Sequence, residues 1–285
     1  MPDTTAIREY HAASQPWQAS LTLGFGRDGD TTRLYDNLHA GPLRVQKALY
    51  PEGGAVCHAI IVHPPGGVVG GDQLSIEVSV GAQAHALLTT PGAAKWYKAN
   101  GKVSRQQVKL QVGAAAALEW LPQESIFFDT AQVQLEQEIR LAAGAHYLGC
   151  EILCMGRRSS GEAYASGWVH QRSSIYLDGK LIWWEQGSLL GGQLDSPLAL
   201  QGHSVCATFL AAGRPVPAPV LAEIRNDIVA DGDHLFGISQ TRSVLVARHL
   251  GNDSETARRL MLAVWQRLRP YLLERAAITP RIWQT

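Results

Sequence analysis

The chain has 285 residues, with 25 Lys and Arg against 25 Asp and Glu, so its formal net charge at pH 7 is zero with His neutral. Nucleic-acid recognition by phosphate neutralisation needs a basic excess, and this chain has none. Hydrophobic residues make up 46% and charged residues 18%, against about 25% charged in ordinary soluble domains, which is enough apolar material for a large core, yet no run approaches the ~18 apolar residues of a membrane helix.

The first residues include Asp3, Arg8, Glu9 and His11 where a secretory signal places its apolar segment. Export by that route is therefore not expected, and a cytoplasmic location is. Residues 1–16 are small and polar and predict a mobile extension, leaving a single domain over residues 17–285. From Trp17 the dominant period is two, with Trp17, Ala19, Leu21, Leu23 and Phe25 alternating as in a half-buried strand. Further sets follow at Leu43 and Val45, then Leu74 to Val80, Val108 to Val112, Val133 to Leu141, and Ile175 with Leu177, each bounded by Gly, Pro or Asp. Such spacing predicts a β body over residues 17–214. Asp178-Gly179, flanked by apolar runs, predicts a tight hairpin.

After Pro215, Pro217 and Pro219 the period changes, and Val220, Leu221, Ile224 and Ile228 predict an amphipathic helix with proline in its first turn. A strand over residues 243–248 follows. Asp253-Ser254 can then cap a helix carrying Met261, Val264, Trp265 and Leu268 on one face, which Pro270 should end or kink. Residues 215–285 thus read as helix, strand and helix. Charge is also divided: residues 242–285 hold eight Arg against Asp253, Glu255 and Glu274, leaving +5 there and −5 on residues 1–241. That Arg-rich end is either a solvated helix face or a partner-docking surface. Cys57, Cys150, Cys154 and Cys206 sit among apolar neighbours, as buried thiols do.

The most distinctive segment is residues 63–72, His-Pro-Pro-Gly-Gly-Val-Val-Gly-Gly-Asp. No Gly-Lys-Ser/Thr follows, and it runs into a strand rather than a helix, so it is not a phosphate loop. Asp72, at its exit, remains unexplained by a tight turn. Glu151 lies in a strand with both faces apolar, beside Tyr147, Gly149 and Leu153, while Leu148, Cys150, Ile152 and Cys154 point the other way. Glu185 shares a face with Leu181 and Trp183. A buried carboxylate needs an Arg partner, a cavity or a cation. No spacing among the ten histidines makes a metal cage, and no nucleophile elbow is present. A metal-dependent enzyme using His58 or His63 with Asp72 remains as an alternative.

Taken together, several motifs resemble one family, the urease accessory protein UreD, called UreH in some organisms. They are Gly41-Pro42-Leu43 with Gln46-Lys47, Tyr50-Pro51-Glu52, residues 63–72, and Thr90-Pro91-Gly92-Ala93-Ala94-Lys95-Trp96-Tyr97. Next come Leu118-Glu119-Trp120-Leu121-Pro122-Gln123-Glu124 with Phe128-Asp129, then Gly156-Arg157 with Gly161-Glu162. Trp265, Arg269-Pro270 and Pro280-Arg281-Ile282-Trp283-Gln284-Thr285 complete the set. The resemblance implies a mainly β fold, a β-helix-like coiled strand body with helices near the C-terminus. It implies a non-enzymatic scaffold for nickel insertion into urease, acting with UreF, with UreG through UreF, and with the urease apoprotein. It further implies an internal passage with nickel in transit and no permanently bound cofactor. Asp72, Glu151 and Glu185 match acidic positions of the family and are expected to line that passage. Arg269, Pro270, Arg281, Ile282 and Trp283 are expected to form a docking element.

Overall fold

A computed structural model describes residues 17–284, so the expected extension over residues 1–16 lies outside the described residues. The chain begins with two antiparallel pairs, β1 (Gln18–Asp28) with β2 (Thr31–Ala40) and β3 (Arg44–Leu49) with β4 (Cys57–Val62). There follow β5 (Gln73–Val80), β6 (His85–Thr89), β7 (Ala94–Trp96), β8 (Ser104–Val112), β9 (Ala117–Leu121) and β10 (Ser125–Phe127). Then come β11 (Gln132–Leu141), β12 (His146–Met155), β13 (Trp168–Leu177), β14 (Lys180–Leu190) and β15 (Val205–Ala212). The C-terminal region contains α1 (Ala218–Asp227), β16 (Leu235–Thr241), β17 (Val244–Gly251) and α2 (Ser254–Leu273).

From β4 onward the chain passes back and forth between two sheets, coiling about four turns as a β-solenoid. One sheet has the order β14-β13-β11-β8-β5-β1-β2, parallel from β13 to β1. The other runs β16-β17-β15-β12-β9-β6-β4-β3, parallel from β12 to β4, with β7 and β10 extending it beside β12. Parallel register aligns equivalent positions of successive turns, so Leu23, Val78, Leu110, Ile139 and Ile175 form one apolar row between the sheets. The period of two in the sequence is the trace of these rows.

A second core fills the space between the larger sheet and the helices, and β12 serves both cores. Tyr147, Leu153 and Met155 face the solenoid interior, whereas Leu148, Cys150, Ile152 and Cys154 face α1 and α2. Helix α2 starts where expected: the Asp253 carboxylate accepts from the Thr256 N–H at 2.7 Å and from that of Glu255. The Thr256 hydroxyl first, and then these backbone bonds, hold the Asp253 carboxyl below its usual range against the opposing effect of burial. Leu221 and Ile224 bury the inner face of α1, whose N-cap is Pro217.

Three sequence expectations need correction. Helix α2 continues past Pro270 to Leu273, because the carbonyl left without its N–H donor, that of Gln266, lies with Pro270 on the solvent-exposed side, where water can satisfy it. Between the helices stands a hairpin rather than one strand. β16 has only Ile238 fully buried, so its pairing with β17 left little periodic signal. In β14 a bulge falls between the pairs Ile175↔Trp183 and Tyr176↔Leu181; it turns Leu181 outward, away from the side that Trp183 and Glu185 share.

The helices are held to the solenoid by a buried ionic network. Glu119, on the outward face of β9, is fully buried and accepts from His85 Nε2 at 2.7 Å, Trp265 Nε1 at 2.6 Å and Arg269 Nε at 3.0 Å. The Arg269 guanidinium also donates to Glu52 at 2.8 Å and to the Ala276 carbonyl, and Glu52 accepts from His58 Nε2 at 2.6 Å. Burial works against ionisation of Glu119, but the His85 hydrogen bond and charge, Arg269 and Trp265 outweigh it and hold the carboxyl below its usual range. Glu52 is lowered in the same way, burial being outweighed by His58 and Arg269. The terminal turn over residues 281–284 folds onto this assembly, with Trp283 edge-on to Trp265 and its indole N–H donating to Thr89 at 2.8 Å.

Replacing Arg269 by Met strands two buried carboxylates and should cost about 3–5 kcal/mol, read as a lower urea midpoint. Because the folded pKa values of Glu119 and Glu52 are depressed, their stabilisation is present above the unfolded carboxylate range near pH 4.3 and is lost as pH falls through the folded values. Urea denaturation should therefore show wild-type stability falling on acidification, and E119Q, weaker at neutral pH, losing less of it.

Candidate functional site

Between the two sheets, at the end marked by the loops that follow β4, β6 and β9, lies a cavity of about 230 Å³. Its walls come from segments far apart in the chain: His63, Gly67 and Val68; residues 90–96; Trp120, Pro122 and Gln123; Glu136 and Gln137; Glu151; Gln171 and Arg172. Three of the motifs that carry the family resemblance thus meet around one space. The loop of residues 63–72 is bound to β7 by the reciprocal bonds Val68 N–H to the Lys95 carbonyl at 2.7 Å and Tyr97 N–H to the Val68 carbonyl at 2.8 Å. That close approach explains two of its glycines. A Cβ at Gly67 would meet the Tyr97 ring, and one at Gly70 would overlap the Ala99 carbonyl.

The interior is polar at this end because one row of the solenoid changes character along its length. Leu21, Ile76 and Val108 continue into Gln137, Ser173 and Glu185 on β11, β13 and β14. On the facing sheet the register aligns Glu151, Thr208 and Arg248 on β12, β15 and β17. Contacts join the two sheets along these rows: the Gln171 amide donates to Glu151, the Tyr147 hydroxyl donates to Gln137 at 3.4 Å, and Arg248 pairs with Glu185 at 2.6 Å. The result is a polar seam running from the cavity, where Glu151 and Gln137 stand, to the half-exposed Arg248 and Glu185.

Glu151 is half-buried, and the surface it retains faces the cavity. Its carboxyl is pushed up to about 7, first by burial and then by the charge of Glu185, with the Gln171 amide opposing. Cys206, on the same side of its strand as Thr208, has its thiol pushed up to about 12, again first by burial and then by Glu151. His63 Nε2 and Trp96 Nε1 at the cavity, and Ser173 Oγ in the seam, are buried without a hydrogen-bond partner in the protein. Polar atoms of this kind around a space much larger than one water call for water or a polar guest.

The three expected acidic residues are not gathered in one place. Glu151 lines the cavity, and Glu185 stands at the far end of the seam. Asp72 is outside both, its two oxygens accepting from the N–H groups of Trp17 at 2.9 Å and Val69 at 3.0 Å, which closes the glycine-rich loop onto the start of β1. Gln137, Gln171 and Arg248 were not singled out in the sequence. Their signal was polarity at strand positions that the period of two places inside.

Of the expected docking residues, Arg269 is fully buried in the network beneath α2, and Trp283 folds back on Thr89 and Trp265. Pro270 and Arg281 are exposed, and Ile282 is half-buried. The basic C-terminal region is largely matched within the chain: Arg248, Arg258, Arg259, Arg267 and Arg269 pair with Glu185, Glu124, Asp231, Asp227 and Glu119. For the alternative metal enzyme, the geometry is unfavourable. His58 is committed to Glu52 and Asp72 to backbone, and among the described residues no group of three or more His, Cys, Asp or Glu could hold a metal ion. No helix among the described residues is long and apolar enough to cross a membrane.

Comparison with known proteins agrees with the motifs. The family described as UreD urease accessory protein matches residues 18–284. A urease accessory protein UreD of Janthinobacterium sp. (strain Marseille) is 58% identical over 272 residues, covering 94% of this chain and 92% of the relative. Those of Nitrosospira multiformis and Dechloromonas aromatica are 48% and 46% identical, covering 96% and 95% of this chain and 100% and 96% of the relatives.

The raised Glu151 carboxyl makes a stability prediction. A folded pKa near 7 means that native protein keeps a proton the unfolded chain has already lost, so stability falls as pH rises from the unfolded value to about 7. The slope contributed is on the order of 1.4 kcal/mol per pH unit across that window. Denaturation of E151Q over pH 5 to 8 should lack this decline, and a parallel decline in the variant would assign it elsewhere.

Proposed function

The chain belongs to the UreD urease accessory protein family, and from that premise we propose that it serves urease maturation as a non-enzymatic scaffold whose interior passes nickel toward the urease apoprotein. The observation that supports the passage is the polar seam, which runs from the cavity to the half-exposed end of the two sheets. Its donors fit the task. Glu151, Glu185, Thr208 and the Gln137 and Gln171 amides offer oxygen, which holds Ni²⁺ less firmly than a cage of His or Cys does, and a conduit must release what it receives. Glu151 is the interior stage and Glu185 the outer stage of the route, while Asp72 supports it indirectly by holding the loop that forms the cavity mouth.

In this reading nickel is cargo and no cofactor is resident. The chain works in the cytoplasm in a complex with UreF, which brings UreG, and with the urease apoprotein. Exposed Pro270 and Arg281 give the C-terminal end an outward face for a partner, while Arg269 and Trp283 keep that end seated on the solenoid.

Co-expression of urease subunits with the accessory proteins, with and without this chain, should show urease nickel content and activity dependent on it. E151Q and E185Q should leave co-purification with UreF and urease intact while lowering nickel content severalfold. Full nickel loading with both variants would replace the conduit by a purely structural clamp.

A further inference from the structure

Two of the cross-element Arg–Glu contacts among the described residues are of opposite design. Arg269 is 0% exposed and bonded on several sides, to Glu119, Glu52 and the Ala276 carbonyl. Arg248 and Glu185 meet at 2.6 Å with side chains 50% and 30% exposed. A fully buried pair hydrogen-bonded on several sides is costly to open, whereas a partly exposed one contributes only about 0–1 kcal/mol and opens readily.

The position of the exchangeable pair is what gives it meaning. Arg248 ends the row Glu151, Thr208, Arg248 on one sheet, and Glu185 ends the row Gln137, Ser173, Glu185 on the other. Their side chains meet across the gap between the sheets, at the outer end of the seam. Any cation moving between solvent and Glu151 along this seam meets Glu185 first, and finds that carboxylate neutralised by a guanidinium of the same chain. We propose that the Arg248–Glu185 ion pair is the gate of the passage: Arg248 is a tethered counter-cation that occupies Glu185 until an entering or leaving divalent cation displaces it outward into solvent. The pair thus closes the seam to bulk ions. No bond is made or broken beyond this exchange of one cation for another.

This inference rests on the nickel-passage reading, and the experiment separates the two. Isothermal titration of the purified full-length chain with Ni²⁺ alone compares wild type with R248M, R248K, E151Q, E185Q and the double variant R248M/E185Q. With the competing guanidinium removed, R248M should bind Ni²⁺ about fivefold tighter, the scale of a partly exposed pair. R248K should stay near wild type, and the double variant should lose the gain. Thermal melts of the same samples identify any variant whose fold has changed, and R248Q, which keeps a polar side chain without the charge, replaces R248M if that variant is one of them, with the same gain expected. Equal affinity in R248M and wild type, with E151Q and E185Q weakened, overturns the gate and leaves the passage standing. Wild-type affinity in E151Q and E185Q, together with full urease loading, overturns the passage and the gate with it.

Discussion

The guanidinium of Arg269, enclosed between Glu119 and Glu52, is the interaction on which the arrangement of this molecule depends. It joins the last helix to segments laid down in the first half of the chain, and it does so where the side chains are shielded from solvent. A buried charge of either sign is tolerated only when its partner and its remaining hydrogen bonds are all present. His85, Trp265, His58 and the Ala276 carbonyl complete that requirement. Once α2 is seated, the outward face of the larger sheet becomes interior. Leu148, Cys150, Ile152 and Cys154 then have a core to enter, and β12 can be apolar on both sides.

The solenoid itself supplies the second constraint. Parallel register stacks equivalent positions from turn to turn, so the character of a row, once set, tends to persist along the sheet. Most rows are apolar throughout. One row departs from this over its last three strands, and the facing sheet departs with it at Glu151, Thr208 and Arg248. Polar side chains in a packed interior need partners or space. Here they have some of each, and the space is the cavity.

The neutral sum of charges also acquires a structural account. The basic excess after residue 241 reads in sequence either as a solvated face or as a surface for another protein. Five of its arginines instead meet acidic groups of the preceding part of this same chain, so much of the complementarity is internal and orients the C-terminal region on the body. The outward-facing remainder, including Arg281, is what that region can offer a partner.

What the residues alone determined was the type of element and which side of it was buried. Alternation placed β1, β5, β8, β11 and β13, the Asp178-Gly179 hairpin and the opposed faces of β12, and Asp253 marked the start of α2, because these depend on local backbone geometry and on a solvent-averse periodicity. Motifs in order along the chain also pointed to the family. Pairings between residues distant in sequence were decided only by the tertiary structure. Glu119 with Arg269, Glu185 with Arg248, and Glu151 with Gln171 depend on strand register and on which sheet faces which, and a bulge of one residue in β14 was enough to turn Leu181 away from Glu185. For the same reason Asp72, Glu151 and Glu185 looked alike as acids without a visible partner, yet one closes a loop, one lines a cavity and one holds an arginine at the far end of the seam.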